Sequence, residues 1–322
     1  MAKRNPLLLG KPHDSYFKAV FQVPELAEQL IRYALPPDML DEIDLATLVL
    51  AEDSFVDENL KASLSDLVYS CHFKSGGPIR ICLLVEHKSE KPGRSIYLQL
   101  LRYLLNIMEN DEKAGAEEYS LTIPIVYYHG KEPWRPATLR KLFEQLPVGF
   151  QRFVPDFEFI VVDLQGMDDD EIRELRDFMF LRSIFLTMKH AWEDDFFRKH
   201  FQEIFIFVSG NVRKELLLWL LIVTLEYIQK VSKIKRQELM ELVETLPPAY
   251  EQPVKSGWDM MIEEFMEKGM EKGIALGVEK ATDKAIAKIL AKFPQLTNQE
   301  IAEMLEVPVS RVEAIRKSAT RD

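Results

Sequence analysis

Cysteine is nearly absent from this chain, which holds only Cys71 and Cys82. Two cysteines build neither a disulfide framework nor a cysteine-rich zinc site, and such scarcity fits the cytosol. Positive charge is also in short supply: 41 Lys and Arg stand against 52 Asp and Glu, a net charge of −11. A broadly basic, nucleic-acid-coating surface is thereby disfavoured, so any contact with a polyanion has to be local or metal-assisted. Long apolar runs are missing as well. Leu7 to Leu9 is too short for the hydrophobic region of a signal peptide. The stretch "ELLLWLLIVTLEYI", 215–228, falls below the roughly 20 residues of a membrane span, carries Glu226, and reads as a buried helix.

What is present describes a folded chain. Of 322 residues, 47% are hydrophobic and 29% charged, ordinary for a globular protein and too apolar for wholesale disorder. Apolar spacing in "HDSYFKAVFQVPELAEQLIRYAL" predicts two opening helices separated by Pro24. Strands follow in "ATLVLA" (46–51), "SDLVYSCHF" (65–73) and "PIRICLLVE" (78–86), the last two forming a hairpin around "KSGG". A long amphipathic helix begins near Gly93, with Ile96, Leu100, Tyr103, Leu104 and Ile107 on its apolar side. Two more strands, "LTIPIVYYHG" and "FEFIVVDL" (157–164), precede a helical region from about Asp168 to Leu246. The order implies an α/β fold with a central mixed β-sheet flanked by helices and a helical C-terminal extension.

The stretch 245–257, "TLPPAYEQPVKSG", reads as a boundary. Beyond it Gly269, Gly273 and Gly277 recur every fourth residue among Glu-Lys pairs. Three mid-helix glycines cost roughly 3 kcal/mol relative to alanine, so a close helix-helix approach, a self-association seam, is the reading taken. A solvated charged linker is its plainer alternative. Thr297 followed by Glu300 is a capping-box signal, and Ile301, Leu305, Val307, Val312 and Ile315 suit a small helix-turn-helix-like unit. Its few basic residues, Arg311, Arg316, Lys317 and Arg321, favour a structural or protein-contacting role over DNA reading.

The densest chemistry lies where the apolar run Ile81–Val85 ends in Glu86, His87, Lys88 and Ser89. If strands 65–73 and 78–86 pair antiparallel, Asp66 and Glu86 come to the same edge of the sheet. Period-two alternation puts Glu86 and Lys88 on one face, with His87 turned away. Two carboxylates suit a hard divalent ion such as magnesium, which keeps waters and phosphate oxygens in its shell. A lysine beside them orients or helps deprotonate a water, or steadies charge at phosphorus. An ordinary polar strand end is the competing account. On the following helix Gln99 and Tyr103 share a face, with Arg102 beside them, as possible backbone contacts or simply as helix surface and core.

The runs "HDSYFKAVF", "SDLVYS", "VEHKS", "LLRYLLNIME", "IPIVYYHG", "EKGMEKG" and "EIAEMLEVPVSRVEAI" together resemble the Rpn family of recombination-promoting nucleases, also labelled as transposases. The resemblance covers nearly the whole chain. It implies the PD-(D/E)XK superfamily: a restriction-endonuclease-like core, DNA endonuclease activity with magnesium (or manganese), promotion of recombination, and association with defence. Asp66 matches the first metal-binding acid, Glu86 the second, and Lys88 the final motif position. Ser65 stands where the superfamily's proline would be. Gln99 and Tyr103 resemble a QxxxY helix motif, and Asp14 falls in the N-terminal helix motif as a further acid near the metal or as a helix cap.

The domains expected on this basis are a nuclease core over 1–165, a helical extension over 166–255, a self-association helix over 256–292 and a terminal unit over 293–322. The expected partners are DNA, a second copy of the chain through residues 258–292 as a homodimer or higher oligomer, and a shorter product of the same gene begun among Met260, Met261, Met266 and Met270. No membrane partner is expected, and the compartment is cytoplasmic. A catalytically weak interaction protein of the same fold is the second reading and a transposase the third. The scattered histidines have no zinc-ligand spacing. His87 is expected to pack, His129 to pack or meet substrate, and "DDDE" (168–171) to start a solvated helix.

Overall fold

The computed structural model describes residues 11–51, 67–86, 92–205, 214–248, 251–260, 282–290, 292–293, 295–305 and 307–319, apart from the side chains of Cys82, Leu84, Val85, Glu86, Lys214, Ser318 and Ala319. The chain divides into two compact units, Met1–Trp258 and Asp259–Asp322.

The first unit opens with α1 (Pro12–Phe21) and α2 (Pro24–Ala34), each with proline in its first turn, where a missing N–H costs nothing. Short α3 (Pro37–Glu42) leads into β1 (Ile43–Leu50). Next come β2 (Leu67–Phe73), β3 (Pro78–Glu86), α4 (Ser95–Lys113), β4 (Leu121–Tyr128) and β5 (Ile160–Asp163), with α5 (Val148–Gln151) in the β4–β5 crossover. Helices α6 (Asp169–Arg173), α7 (Met179–Lys189), α8 (Asp194–Phe205), α9 (Lys214–Val231) and α10 (Arg236–Val243) follow.

The sheet order is β1-β2-β3-β4-β5, antiparallel across β1-β2-β3 and parallel across β3-β4-β5. It is the mixed sheet the element order called for. Gly76 and Gly77, at φ of 92° and 95°, close the β2–β3 hairpin in a backbone region that side chains disfavour. Alternation along β4 divides the core. Val126 and Tyr128 pack with Ile96, Leu100, Tyr103 and Ile107 of α4, while Tyr127 meets Phe17, Phe21 and Phe185 on the other side.

Two strand boundaries differ from their sequence readings. β1 begins earlier, at Ile43, and shifts register between Asp44 and Val49. There the Asp44 carboxylate accepts from Ala46 N, and Thr47 Oγ1 donates to Asp44 O while accepting from His72 N. β5 is only four residues long; Phe157 and Phe159 precede it and pack on the α4 cluster, as Val161 within the strand also does.

The apolar run at 215–228 is α9, a buried helix whose Glu226 is neutralised by Lys230 at 3.3 Å. Among the described residues no helix is long and apolar enough to cross a membrane. Residues 251–260, within and just past the stretch read as a boundary, are helical. Gly257 there permits close approach to α9: an added Cβ would lie 2.4 Å from Ile222 Cδ1. Trp258 is fully buried under the Arg236 guanidinium.

In the second unit, residues 282–290, α11 (Asn298–Leu305) and α12 (Val309–Ala319) enclose a small core of Ile286, Ile301, Ala302 and Val312. The capping box is present, since Thr297 N donates to Glu300 Oε2 and Glu300 N to Thr297 Oγ1. Arg311 is held by Asp283 at 2.8 Å and Arg316 donates to Leu296 O, so both serve the unit's own fold. The glycine repeat and Met261, Met266 and Met270 lie outside the described residues.

Candidate active site

The parallel half of the sheet ends in a row. Glu86 of β3 pairs with Tyr128 of β4, and Tyr128 with Asp163 of β5. On the antiparallel side Leu67, the residue after Asp66, pairs with Leu83, three positions before Glu86. Asp66 itself, His87 and Lys88 lie outside the described residues, as does the Glu86 side chain. The backbone register therefore brings Glu86 and the start of β2 to one end of the sheet. That end is also where parallel α/β sheets place their ligands.

Tyr128 is wholly buried, with its ring 5.2 Å from that of Trp134. It lies so close over the following turn that a Cβ on Gly130 would sit 2.0 Å from its hydroxyl oxygen. Glycine is required there by space. Asp163 closes the row as a structural acceptor. Its Oδ2 receives the Trp134 N–H at 2.7 Å, and its Oδ1 those of Gln165 and Gly166, both at 3.1 Å. Trp134, Arg135, Pro136, Tyr33 and Met167 wall a cleft of about 530 Å³ along the β5 edge.

The first turn of α1 comes to the same end of the sheet. His129, the residue after β4, is fully buried, stacks on Trp192 and lies 4.9 Å from the His13 ring. His129 Nε2 meets the Met188 carbonyl, which only accepts, so that nitrogen carries the proton. It packs rather than facing a substrate. His13 Nδ1 is 2.6 Å from the Tyr227 hydroxyl, and Tyr16 stacks on Tyr227 while bonding to Thr224. Burial raises both tyrosine pKa values, Tyr227 far above the ordinary range.

Asp14 follows His13 and is mostly buried, 4.0 Å from Lys11. It is not the helix cap: Lys11 takes that position without a side-chain bond, and Asp14 lies in the first turn, where the helix dipole favours an acid. On α4, Tyr103 is 1% exposed inside the core cluster, Gln99 is half-buried and Arg102 is exposed. Tyr103 thus completes the apolar face.

Among the described residues no group of three or more His, Cys, Asp or Glu is placed to hold a metal ion. Cys71 is buried, and burial pushes its thiol up to about 11, which removes it as a nucleophile. Asp163 stands outside the site residues that the sequence points to, and Gly130 reads there only as the turn ending its strand. The run "DLQG" carried the signal for the first, an acid followed by glycine at a turn.

Comparison with known proteins gives this edge a context. No solved structure matches the chain. The chain is similar to the recombination-promoting nuclease RpnA of Escherichia coli K12, 32% identical over 186 residues, 57% of this chain and 61% of that one. It is 29% identical to RpnC of the same strain over 184 residues, 57% of this chain and 60% of the relative. It is also 29% identical to the inactive recombination-promoting nuclease-like protein RpnE, over 58% of this chain and 60% of that one. The chain thus spans about three fifths of the length of these relatives. The model of the family described as "Putative transposase, YhgA-like" matches residues 11–217, so the match runs from the first turn of α1 through all five strands to the start of α9, and the chain belongs to that family.

Proposed function

We propose that the chain is a metal-dependent DNA endonuclease built on a restriction-endonuclease-like core, with Asp66, Glu86 and Lys88 as its centre. The observation that carries this reading is the pairing of Leu67 with Leu83 beside the row Glu86-Tyr128-Asp163, since it draws the β2 start and the β3 end to one edge. The names of RpnA and RpnC support nuclease chemistry in the family.

Two carboxylates without a thiolate suit a magnesium-class ion. Asp66 and Glu86 would hold it, and when bound it polarises phosphoryl oxygens. The Lys88 ammonium orients the attacking water and steadies charge at phosphorus. The water oxygen bonds to phosphorus, one phosphorus–oxygen ester bond breaks, and the departing oxygen takes up a proton. Asp14, beside His13 at the same end of the sheet, supplies negative charge near the acids. Assembly through residues 258–292 would pair two such centres.

The second reading, an interaction protein with a silent centre, is favoured by one observation: RpnE is named inactive. Cleavage of supercoiled plasmid with magnesium, with EDTA, and by Asp66→Ala and Lys88→Ala proteins separates the two. Nicking that needs both metal and Asp66 is the expected result. Undiminished nicking by Asp66→Ala sinks the assignment of the site, and a folded wild type that never cuts favours the silent one.

A further inference from the structure

The crossover from β4 to β5 departs from the rest of the chain in charge and in exposure. Between Lys131 and Pro155 five basic residues, Lys131, Arg135, Arg140, Lys141 and Arg152, stand against two acids, Glu132 and Glu144, in a protein of net charge −11. The same segment turns large apolar side chains outward: Phe143 is 40% exposed, Val148 83%, Phe150 62% and Phe153 72%. Solvated loops rarely present three phenylalanines without a partner.

The segment is firmly held at its base. Trp134 N donates to Asp163, the Tyr97 hydroxyl to Ala137 O, and Leu139 packs into the α4 cluster. Arg140 is braced by Asp156 at 2.8 Å. The tip is ordered too: Phe150 N bonds to Pro147 O and Phe153 N to Phe150 O, and the Arg152 guanidinium lies 5.0 Å from the Phe153 ring centroid. Through Trp134 and Asp163 the segment springs from the sheet end that carries Glu86.

We infer that residues 131–155 form a stacking shelf for unpaired nucleotides of the substrate, an inference resting on the nuclease reading above. Exposed aromatic rings interleaved with arginine and lysine match what single strands offer, base faces for stacking and phosphates for the cations. Bases within a duplex hide their faces, so the shelf selects single-stranded or frayed nucleic acid. A second copy of the chain is a poorer occupant, because a two-fold contact would set a net positive patch, five basic residues less two acidic, against itself. With its backbone held at base and tip, the shelf meets its ligand at a reduced ordering cost.

The test is fluorescence anisotropy of the full chain in EDTA with a labelled oligo-dT strand and with a duplex of equal length. Phe150→Ala/Phe153→Ala is expected to weaken single-strand binding about tenfold or more and to change duplex binding less than about twofold. Arg152→Gln is expected to flatten the single-strand salt dependence by about 0.7 in log-log slope. These exposed positions leave folding untouched. The shelf is overturned if wild type shows no single-strand binding, or if the double variant binds within about twofold of it. It is equally overturned if sedimentation shows a wild-type dimer that the double variant loses while binding persists. Because EDTA stops cleavage, failure of the Asp66 assignment leaves this result standing, and the reverse holds as well.

Discussion

Gly130→Ala is a one-carbon perturbation with a calculable consequence. The added methyl would lie 2.0 Å from the Tyr128 hydroxyl oxygen, 2.3 Å from Cζ and 2.8 Å from Cε2, so the ring tip has to retreat by more than an ångström to reach ordinary contact distance. Tyr128 has nowhere open to go, being fully buried between Trp134 and the α4 cluster. Overpacking of this kind costs about 1–3 kcal/mol, which in a unit this size lowers Tm by roughly 2–10 °C. Urea unfolding reads the cost directly as a fall in midpoint at constant slope. Tyr128→Leu removes the ring tip, so the double variant Gly130→Ala/Tyr128→Leu should be more stable than the sum of the single changes. A Gly130→Ala protein within about 0.5 kcal/mol of wild type, or a strictly additive cycle, refutes the close approach as the reason for glycine.

Two further predictions concern ionisation. Although burial pulls the Asp169 carboxyl upward, the Lys189 ammonium at 2.7 Å and His190 at 2.9 Å hold it below the usual carboxylate range. A depressed carboxyl contributes stability above its unfolded pKa of about 3.9 and loses it as pH falls through the folded value. Asp169→Asn should therefore be less stable than wild type at pH 7 in urea melts, with the gap closing below about pH 4; a gap independent of pH removes the argument. Cys71, buried and with its thiol pushed up to about 11, should resist a disulfide reagent at pH 8 in a Cys82→Ser protein until urea is added. Rapid labelling in the native state contradicts its burial.

Much of the fold is legible in the sequence because its signals are local. Proline at the start of α1 and α2, β-branched and aromatic residues in β2 to β4, and the Thr297-Glu300 cap each act within a few residues. Legibility fails where a distant neighbour decides. Phe157 and Phe159 read as strand, yet β4 pairs only with Ile160 to Asp163. Gly257 reads as a breaker until Ile222 is seen beside it. Tyr103, four residues from Gln99, suits a substrate-facing motif and a core stripe equally well, and its place in the α4 cluster at 1% exposure depends on the strands packed over it. Of the candidate site, the register at the sheet end was inferable from the "KSGG" hairpin, whereas the closure by Asp163 needed β5 in place.

The two-handed pairing of the sheet also orders its assembly in time. β2 and β3 are joined by a four-residue turn and can zip as soon as both exist, on the microsecond scale of a hairpin. The parallel neighbours of Glu86 arrive only after the crossovers 87–120 and 129–159, of 34 and 31 residues, first to Tyr128 and then to Asp163, and each closure costs chain entropy before any contact repays it. The end of the sheet proposed to bind metal and cut nucleic acid is thus completed late, when the rest of the unit already has a hairpin to build upon. A chain interrupted during synthesis before β4 would hold the candidate acids without the row that frames them.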